Sequence, residues 1–133
     1  MERLKERLDI AARALETLKE IGGTDLPFAV KRDAAITRFV YTFEAVWKTA
    51  QLFLELVDGV SVGAPKPCIR AARTVDLLSD ENAEAALEMT NDRNLTVHTY
   101  NEKLANEIFG RLPQHIEVLT TWLEAMKKRV ECG

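Results

Sequence analysis

The residue types best suited to chemistry lie in one short segment, residues 91–100, which reads Asn-Asp-Arg-Asn-Leu-Thr-Val-His-Thr-Tyr. Arg93 carries a permanent positive charge on a fork of N–H donors that suits phosphate. A histidine such as His98 can exchange a proton near neutral pH. Together the two side chains can form a site that acts on a phosphodiester without a metal ion.

The spacing of Arg93 and His98 limits the structures in which they can cooperate. On one unbroken helix, the two side chains would point to different faces. They could converge only through a break in the helix or across a symmetric dimer. Asn, Asp and Thr are weak helix formers, which predicts fraying over residues 91–99. Thr99 and Glu102 fit a capping box for a new helix, whose N-terminus would favour an anion beside His98.

The rest of the sequence predicts helices, because apolar residues recur at steps of three and four. The second helix carries two adjacent apolar stripes, and burying both is expected to require a homodimer. The predicted fold is all-α: an antiparallel up-and-down four-helix bundle with an additional helix, in one domain over residues 1–133. The predicted helices are 4–18 with a Gly22-Gly23 C-cap, 36–57, about 68–78, one capped by Ser79 or Asp80, one from Tyr100 and one from Pro113.

Composition is typical of a folded, soluble domain, with 133 residues, 47% hydrophobic and 29% charged. A net charge of −3 excludes a general polyanion binder, so any contact with nucleic acid must come from a local patch. Cys68 and Cys132 lack metal-ligand spacing, and two reduced thiols are favoured over a disulfide. Neither a metal nor a cofactor is indicated. The sequence shows no signal peptide or membrane span, so a cytoplasmic location is expected.

The element Arg93-x4-His98-x-Tyr100 resembles the signature of HEPN-domain proteins. The branch it resembles is that of the nucleotidyltransferase substrate-binding proteins, which are small partners of minimal nucleotidyltransferases. Residues 32–48 resemble the long second helix of that family, and residues 65–72 resemble the start of its third. Most of the chain is therefore covered by the resemblance.

The resemblance implies a homodimer with the motif at the dimer cleft. It also implies that the protein is a toxin that cleaves RNA internally without a metal ion. Arg93 and His98 would be catalytic, with Asn94 and Thr96 supporting them. His98 would take the proton of a ribose 2′-OH, and Arg93 would stabilise charge on the phosphorane. The partner, a minimal nucleotidyltransferase encoded nearby, would be the antitoxin and would silence the toxin by adding AMP to Tyr100.

The second helix also bears on this expectation. Arg38, Glu44 and Lys48 are candidates for lining the same cleft. Two residues depart from the family pattern: Ala86 stands where Trp is expected, and Val40 stands where Glu is common. Both departures lie outside the motif, so they affect packing and partner contacts more than chemistry.

Other interpretations stay open. The chain could be a non-catalytic subunit that presents a substrate to the transferase, or a helical dimer that serves only for interaction. Arg93 could pair with Asp92 or Glu88 on a helix surface, and His98 could be structural. His115 is expected to be structural or on the surface. The chain is not the transferase itself, because it lacks a Gly-Ser followed by an Asp-x-Asp pair to hold two metal ions.

Overall fold

The computed structural model describes residues 1–132, and this part of the chain contains five α-helices, two short 3₁₀-helices and no strand. The prediction of an all-α fold is confirmed. None of these helices is both long and apolar enough to cross a membrane. The helices are α1 (Glu2–Glu20), α2 (Phe28–Asp58), α3 (Pro65–Thr74), α4 (Asp80–Leu95) and α5 (Glu102–Cys132), with 3₁₀-helices at Ile21–Gly23 and Thr96–His98.

α1 and α2 run antiparallel, and polar contacts near both ends fix their register. Near the end of α1, the carbonyl of Thr17 accepts a hydrogen bond from Nη1 of Arg38 at 2.6 Å. Near its start, the carbonyl of Arg7 accepts one from Oγ1 of Thr49 at 3.3 Å. The predicted apolar stripe of α1 is buried.

α2 and α5 run in the same direction, because residue numbers rise together along their contacts. At one end, Nη1 of Arg32 donates to Oδ1 of Asn106 at 2.9 Å. At the other end, Arg129 donates to both carboxylate oxygens of Asp58 at 3.1 and 3.3 Å. These contacts join the two longest helices near both of their ends.

α4 runs antiparallel to α5. Near the start of α4, Glu81 lines a groove together with Thr121 of α5. Near its end, Asp92 accepts hydrogen bonds from Arg111 of α5. The long helices therefore alternate in direction, and the predicted up-and-down four-helix bundle with one additional helix, α3, is confirmed.

One hydrophobic core fills the bundle, and α2 lies at its centre. α2 contacts α1, α3, α4 and α5, and both of its predicted stripes are largely buried within one protomer. The packing argument for a homodimer was therefore wrong, since a single chain already encloses this helix. The largest fully buried side chains are Trp122, Phe39, Phe43, Phe53, Leu4, Leu18, Leu54, Ile69, Met89, Ile108, Leu119 and Met126.

The glycines that follow α1 do not cap it as predicted. Ile21–Gly23 continue as a 3₁₀-helix, and Thr24 closes that turn by donating its N–H and its hydroxyl to the carbonyl of Ile21. Because this closure keeps φ negative, no left-handed residue is needed. The left-handed glycine is Gly59, whose φ of +67° ends α2.

The limits of α3 also differ from the prediction. The helix begins at Pro65, where a proline is tolerated because a first-turn N–H has no partner within the helix. It ends at Thr74, since Asp76 adopts a left-handed φ of 63°. The N–H of Leu77 then donates to the carbonyl of Ala72 at 2.8 Å and closes the end of the helix.

α5 is one continuous helix, so the predicted helix boundary at Pro113 was wrong. Proline removes one backbone donor and so leaves the carbonyl of Phe109 without its usual helical partner. The Pro113 ring lies on the exposed side of α5. Ile108, Leu112 and Leu119 are buried on both sides of it, and their packing outweighs the lost hydrogen bond.

The two cysteines are free thiols, as predicted. Cys132 is exposed, whereas Cys68 is buried in the core and its Sγ contacts the carbonyl of Trp47 at 3.6 Å. Burial raises the pKa of Cys68 to about 12, because a thiolate would lose its hydration there.

Gly110→Ala is expected to raise the free energy of unfolding by about 0.5–1 kcal/mol, since a glycine inside a helix costs backbone entropy. A Cβ at this exposed position in α5 would meet nothing within 4 Å. Gly59→Ala is the matched control and is expected to lower the same quantity by about 1 kcal/mol, because alanine disfavours a positive φ. Urea denaturation measures both changes. Loss of stability in Gly110→Ala would contradict a continuous α5.

Candidate functional site

The break in the helix after Arg93 is present, but it begins later than predicted. α4 continues through Leu95, the 3₁₀-helix Thr96–His98 follows, and α5 starts at Glu102. The predicted fraying from Asn91 was wrong because Asp92 is bonded to α5, and this tertiary contact outweighs the weak helix propensity of the segment.

Threonine side chains shape the turn that follows α4. Oγ1 of Thr96 donates to the carbonyl of Arg93 at 2.6 Å, which closes the end of the helix. Oγ1 of Thr99 donates to the carbonyl of Thr96 at 2.8 Å. Thr99 is thus occupied within the turn, and its prediction as the N-cap of the next helix was wrong. The cap is Asn101, whose Oδ1 accepts from the N–H of Leu104 at 3.1 Å.

Arg93 turns toward α2, where it meets Glu44. Its Nε donates to Oε1 of Glu44 at 3.1 Å, and both side chains are partly buried. Nε1 of Trp47 donates to the other carboxylate oxygen at 3.1 Å, and Nζ of Lys48 lies 3.9 Å from that oxygen. The cations of Arg93 and Lys48 therefore share the carboxylate of Glu44, and the cluster of these three side chains keeps a net positive charge. The surface pairing of Arg93 with Asp92 or Glu88 is replaced by this contact with α2.

The aromatic side chains of the motif lie on the outside of the turn. His98 is exposed and its ring centroid lies 6.0 Å from that of Tyr100, at an interplanar angle of 72°. The side chain of Tyr100 is 85% exposed, and that of Val97 is 68% exposed. Both rings are therefore accessible, and the Tyr100 ring does not anchor the helix start by burial.

The remaining candidates are not all brought to one place. Arg38 donates to the carbonyl of Thr17 in α1, so it does not join the cluster of Arg93 and Glu44. Asn94 is exposed on the last turn of α4. Thr96 supports the turn through its bond to the main chain of Arg93.

A second polar cluster, which was not predicted, lies where the last turn of α4 faces α5. Nε and Nη2 of Arg111 donate to the two carboxylate oxygens of Asp92, each at 2.8 Å. Nε2 of His115 lies 2.7 Å from Oδ2 of the same carboxylate and donates to it, since an ionised carboxylate only accepts. His115 is buried and stacks on Phe39 of α2, with centroids 5.3 Å apart.

Two opposing effects set the charge of Asp92. Burial raises its pKa, whereas the hydrogen bonds from Arg111 and His115, together with their charges, lower it by more. The resulting pKa lies below the ordinary value of 3.8. The same ion pair raises the pKa of Arg111. Asp92 and Arg111 are therefore both ionised at neutral pH.

The sequence contained a signal for this cluster. Arg111 and His115 are four residues apart, so on one helix they share a face and can reach one acceptor. The predicted boundary at Pro113 separated them into two helices, and the signal was missed for that reason.

A groove between α4 and α5 has the opposite electrostatic character to the motif. Its volume is about 420 Å³, and four glutamates line it: Glu81, Glu84, Glu88 and Glu117. Such a surface repels phosphate, so it does not suit a nucleic acid. Within residues 1–132, no three His, Cys, Asp or Glu side chains are grouped to hold a metal ion.

The sequence matches the model of a protein family described as nucleotidyltransferase substrate binding protein like, over residues 6–128. The chain belongs to this family. No protein with a curated description matches the sequence. The resemblance to the nucleotidyltransferase substrate-binding proteins is thereby confirmed. The resemblance to HEPN-domain proteins is confirmed for the fold.

Solved structures share the fold of this family member. A crystal structure of a protein from Thermus thermophilus is 51% identical, with a TM-score of 0.82, over 87% of this chain and 98% of that chain. A tri-AMPylated HEPN toxin of Shewanella oneidensis, in complex with MNT antitoxin, is 15% identical with a TM-score of 0.76, over 94% and 96% of the two chains. A Haemophilus influenzae protein with the fold of a substrate-binding domain of a nucleotidyltransferase is 19% identical with a TM-score of 0.72, over 90% and 98%.

Proposed function

We propose that this chain is a metal-independent endoribonuclease and the toxin of a pair whose antitoxin is a minimal nucleotidyltransferase. The observation that carries the proposal is the break after α4. It leaves the His98 ring exposed in the turn that directly follows the partly buried Arg93. The fold is shared with a HEPN toxin that binds an MNT antitoxin, which supports the choice of partner.

The reaction divides the chemistry between two histidines. His98 of one protomer accepts the proton of the ribose 2′-OH, whose oxygen attacks the adjacent phosphorus. The bond from phosphorus to the 5′-oxygen breaks, and His98 of the second protomer protonates that leaving oxygen. Arg93 stabilises the negative charge on the phosphorane. Its contact with Glu44 uses Nε, which leaves the terminal guanidinium nitrogens for phosphate.

A reaction that uses His98 of two protomers needs a homodimer. The exposed apolar surface of the motif supports the proposal of such a dimer. Leu95, Val97 and Tyr100 are 39%, 68% and 85% exposed within six residues of sequence. Exposed apolar side chains grouped in this way are typical of an interaction surface. A second copy of the chain packed on the turn would cover them and would bring the two His98 rings to one cleft.

Val97→Asp is expected to convert a dimer at micromolar concentration into a monomer, because a charge would be buried in the proposed interface. Light scattering measures the change in mass. Leu56→Asp is the matched control: Leu56 is 48% exposed near the end of α2, twelve residues or about 18 Å along the helix from Glu44, and its replacement should leave the dimer intact. A wild-type protein that is monomeric at this concentration would count against the composite site.

Arg93→Ala and His98→Ala should each lower the rate of RNA cleavage by at least about a hundredfold while circular dichroism stays unchanged. The wild-type products should end in a 2′,3′-cyclic phosphate, EDTA should not slow their formation, and DNA should remain intact because it lacks the 2′-OH. Arg73→Ala, on the exposed surface of α3, is the control for loss of an arginine. Cleavage that survives His98→Ala, or that stops with EDTA, would overturn this mechanism.

The second part of the proposal concerns regulation through Tyr100. Its hydroxyl belongs to an exposed ring that contacts the ring of His98, so an enzyme can reach it. The phenol oxygen attacks the α-phosphorus of ATP in the nucleotidyltransferase, pyrophosphate leaves, and the phenol proton passes to solvent. The AMP adds a negative charge that pairs with Arg93 and occupies the space of the RNA phosphate.

Mass spectrometry of the chain coexpressed with its nucleotidyltransferase should find added AMP on the peptide that contains Tyr100. Tyr100→Phe should abolish the modification and leave the nuclease active. Tyr41→Phe is the matched control, because Tyr41 is the other tyrosine of the chain and is bonded to Thr17 instead. An unmodified Tyr100 in the presence of an active transferase would rule out this form of regulation.

One observation favours a second candidate function. Glu44 already neutralises part of the charge of Arg93, as it would in a non-catalytic subunit that binds substrate for the transferase. Under this alternative the chain would bind the nucleotidyltransferase but leave RNA intact. The cleavage assay with His98→Ala separates the two functions.

A further inference from the structure

The motif segment is attached to the rest of the protein through a single buried side chain. Within residues 91–101, Asp92 alone is buried, and all its neighbours are exposed or partly exposed. The segment therefore has no apolar side chain that fixes it in the core. Besides the partly buried contact of Arg93 with Glu44, the contacts of the Asp92 carboxylate are therefore a main determinant of its position.

Two side chains of α5 hold that carboxylate from two directions. Arg111 contributes a bidentate pair and His115 a third hydrogen bond, so both oxygens are occupied. His115 is itself held by stacking on Phe39 of α2. Because charge-assisted bidentate contacts fix both distance and orientation, Asp92 is held at one register relative to α5.

Arg93 is the next residue and points about 100° further around the helix, toward α2. There it meets Glu44, five residues beyond Phe39 on the same helix. The contacts form a closed ring from Asp92 to His115, to Phe39 along α2, to Glu44 and back to Arg93. A shift of Asp92 would therefore move the guanidinium of Arg93 relative to Glu44.

We propose that Asp92, held by Arg111 and His115, is a positioning residue that sets the location of the Arg93 guanidinium. Its consequence for cleavage rests on the proposed endoribonuclease function, whereas its consequence for Arg93 does not. Asp92 touches no reacting atom and acts only through its neighbour.

The first test observes Arg93 directly, by NMR of the side-chain Nε–H groups in protein labelled with ¹⁵N-arginine. In the wild type, the Nε–H of Arg93 is hydrogen-bonded to Glu44 and should give a distinct resonance. Asp92→Asn should shift or broaden that resonance. The matched control is Asp58→Asn, which breaks the bidentate pair between Asp58 and Arg129 at the far end of α2. This control should shift the resonance of Arg129 and leave the resonance of Arg93 unchanged.

A second variant covers the case in which Asp92→Asn does not fold. Arg111 is partly exposed, so Arg111→Met should fold while removing the bidentate partner of Asp92. It should disturb the Arg93 resonance in the same way. Arg111→Lys keeps the charge but not the fork of donors, and it should restore the resonance in part.

The activity measurement then asks whether the position matters for cleavage. Asp92→Asn and Arg111→Met should each lower kcat by about tenfold to a hundredfold, the loss typical of a displaced catalytic group. KM for RNA should stay within about twofold, since the charge that binds RNA is retained. In a protein that already carries Arg93→Lys, the same two substitutions should lower kcat by a much smaller factor, because the group that they position is already altered.

The outcomes separate the two proposals. If the wild type does not cleave RNA but the Arg93 resonance moves in both variants, the endoribonuclease function is wrong and the positioning role stands. If the wild type cleaves RNA and Arg111→Met leaves both the resonance and kcat unchanged, the positioning role is overturned.

Discussion

The site depends on the break between α4 and α5. Because α4 stops at Leu95 and α5 begins at Glu102, Arg93 lies in the last turn of a helix while His98 and Tyr100 lie in the exposed segment that follows. A continuous helix would have placed Arg93 and His98 on different faces. The hydroxyls of Thr96 and Thr99 stabilise the break by occupying main-chain carbonyls that a continuing helix would have used.

The polar residues around the break follow a simple division. Arg93 and Glu44 are partly exposed and so can exchange partners when an anion arrives. Asp92 and His115 are buried, and both carboxylate oxygens of Asp92 are paired, which makes their arrangement costly to disturb. The last turn of α4 thus carries two kinds of contact. The contact of Asp92 with α5 is fixed, and the contact of Arg93 with Glu44 on α2 is adaptable.

The charge distribution agrees with this arrangement. The chain as a whole is slightly acidic, and the groove between α4 and α5 is lined by glutamates. The cluster of Arg93, Lys48 and Glu44 keeps a net positive charge. A polyanion would therefore be attracted to the motif and repelled from the neighbouring groove.

The sequence alone determined the helical class, the bundle and the motif, because apolar periodicity and residue chemistry are local properties. It also indicated that Arg93 and His98 could converge only through a break in the helix or across a symmetric dimer. It could not determine the partners of Arg93, since Glu44 lies 49 positions earlier in the chain and only the packing of α2 on α4 brings them together. The continuity of α5 across Pro113, and with it the pairing of Arg111 and His115 on Asp92, was decided by burial of the apolar residues on both sides of that proline. Tertiary packing there outweighed the local preference of proline to begin a helix.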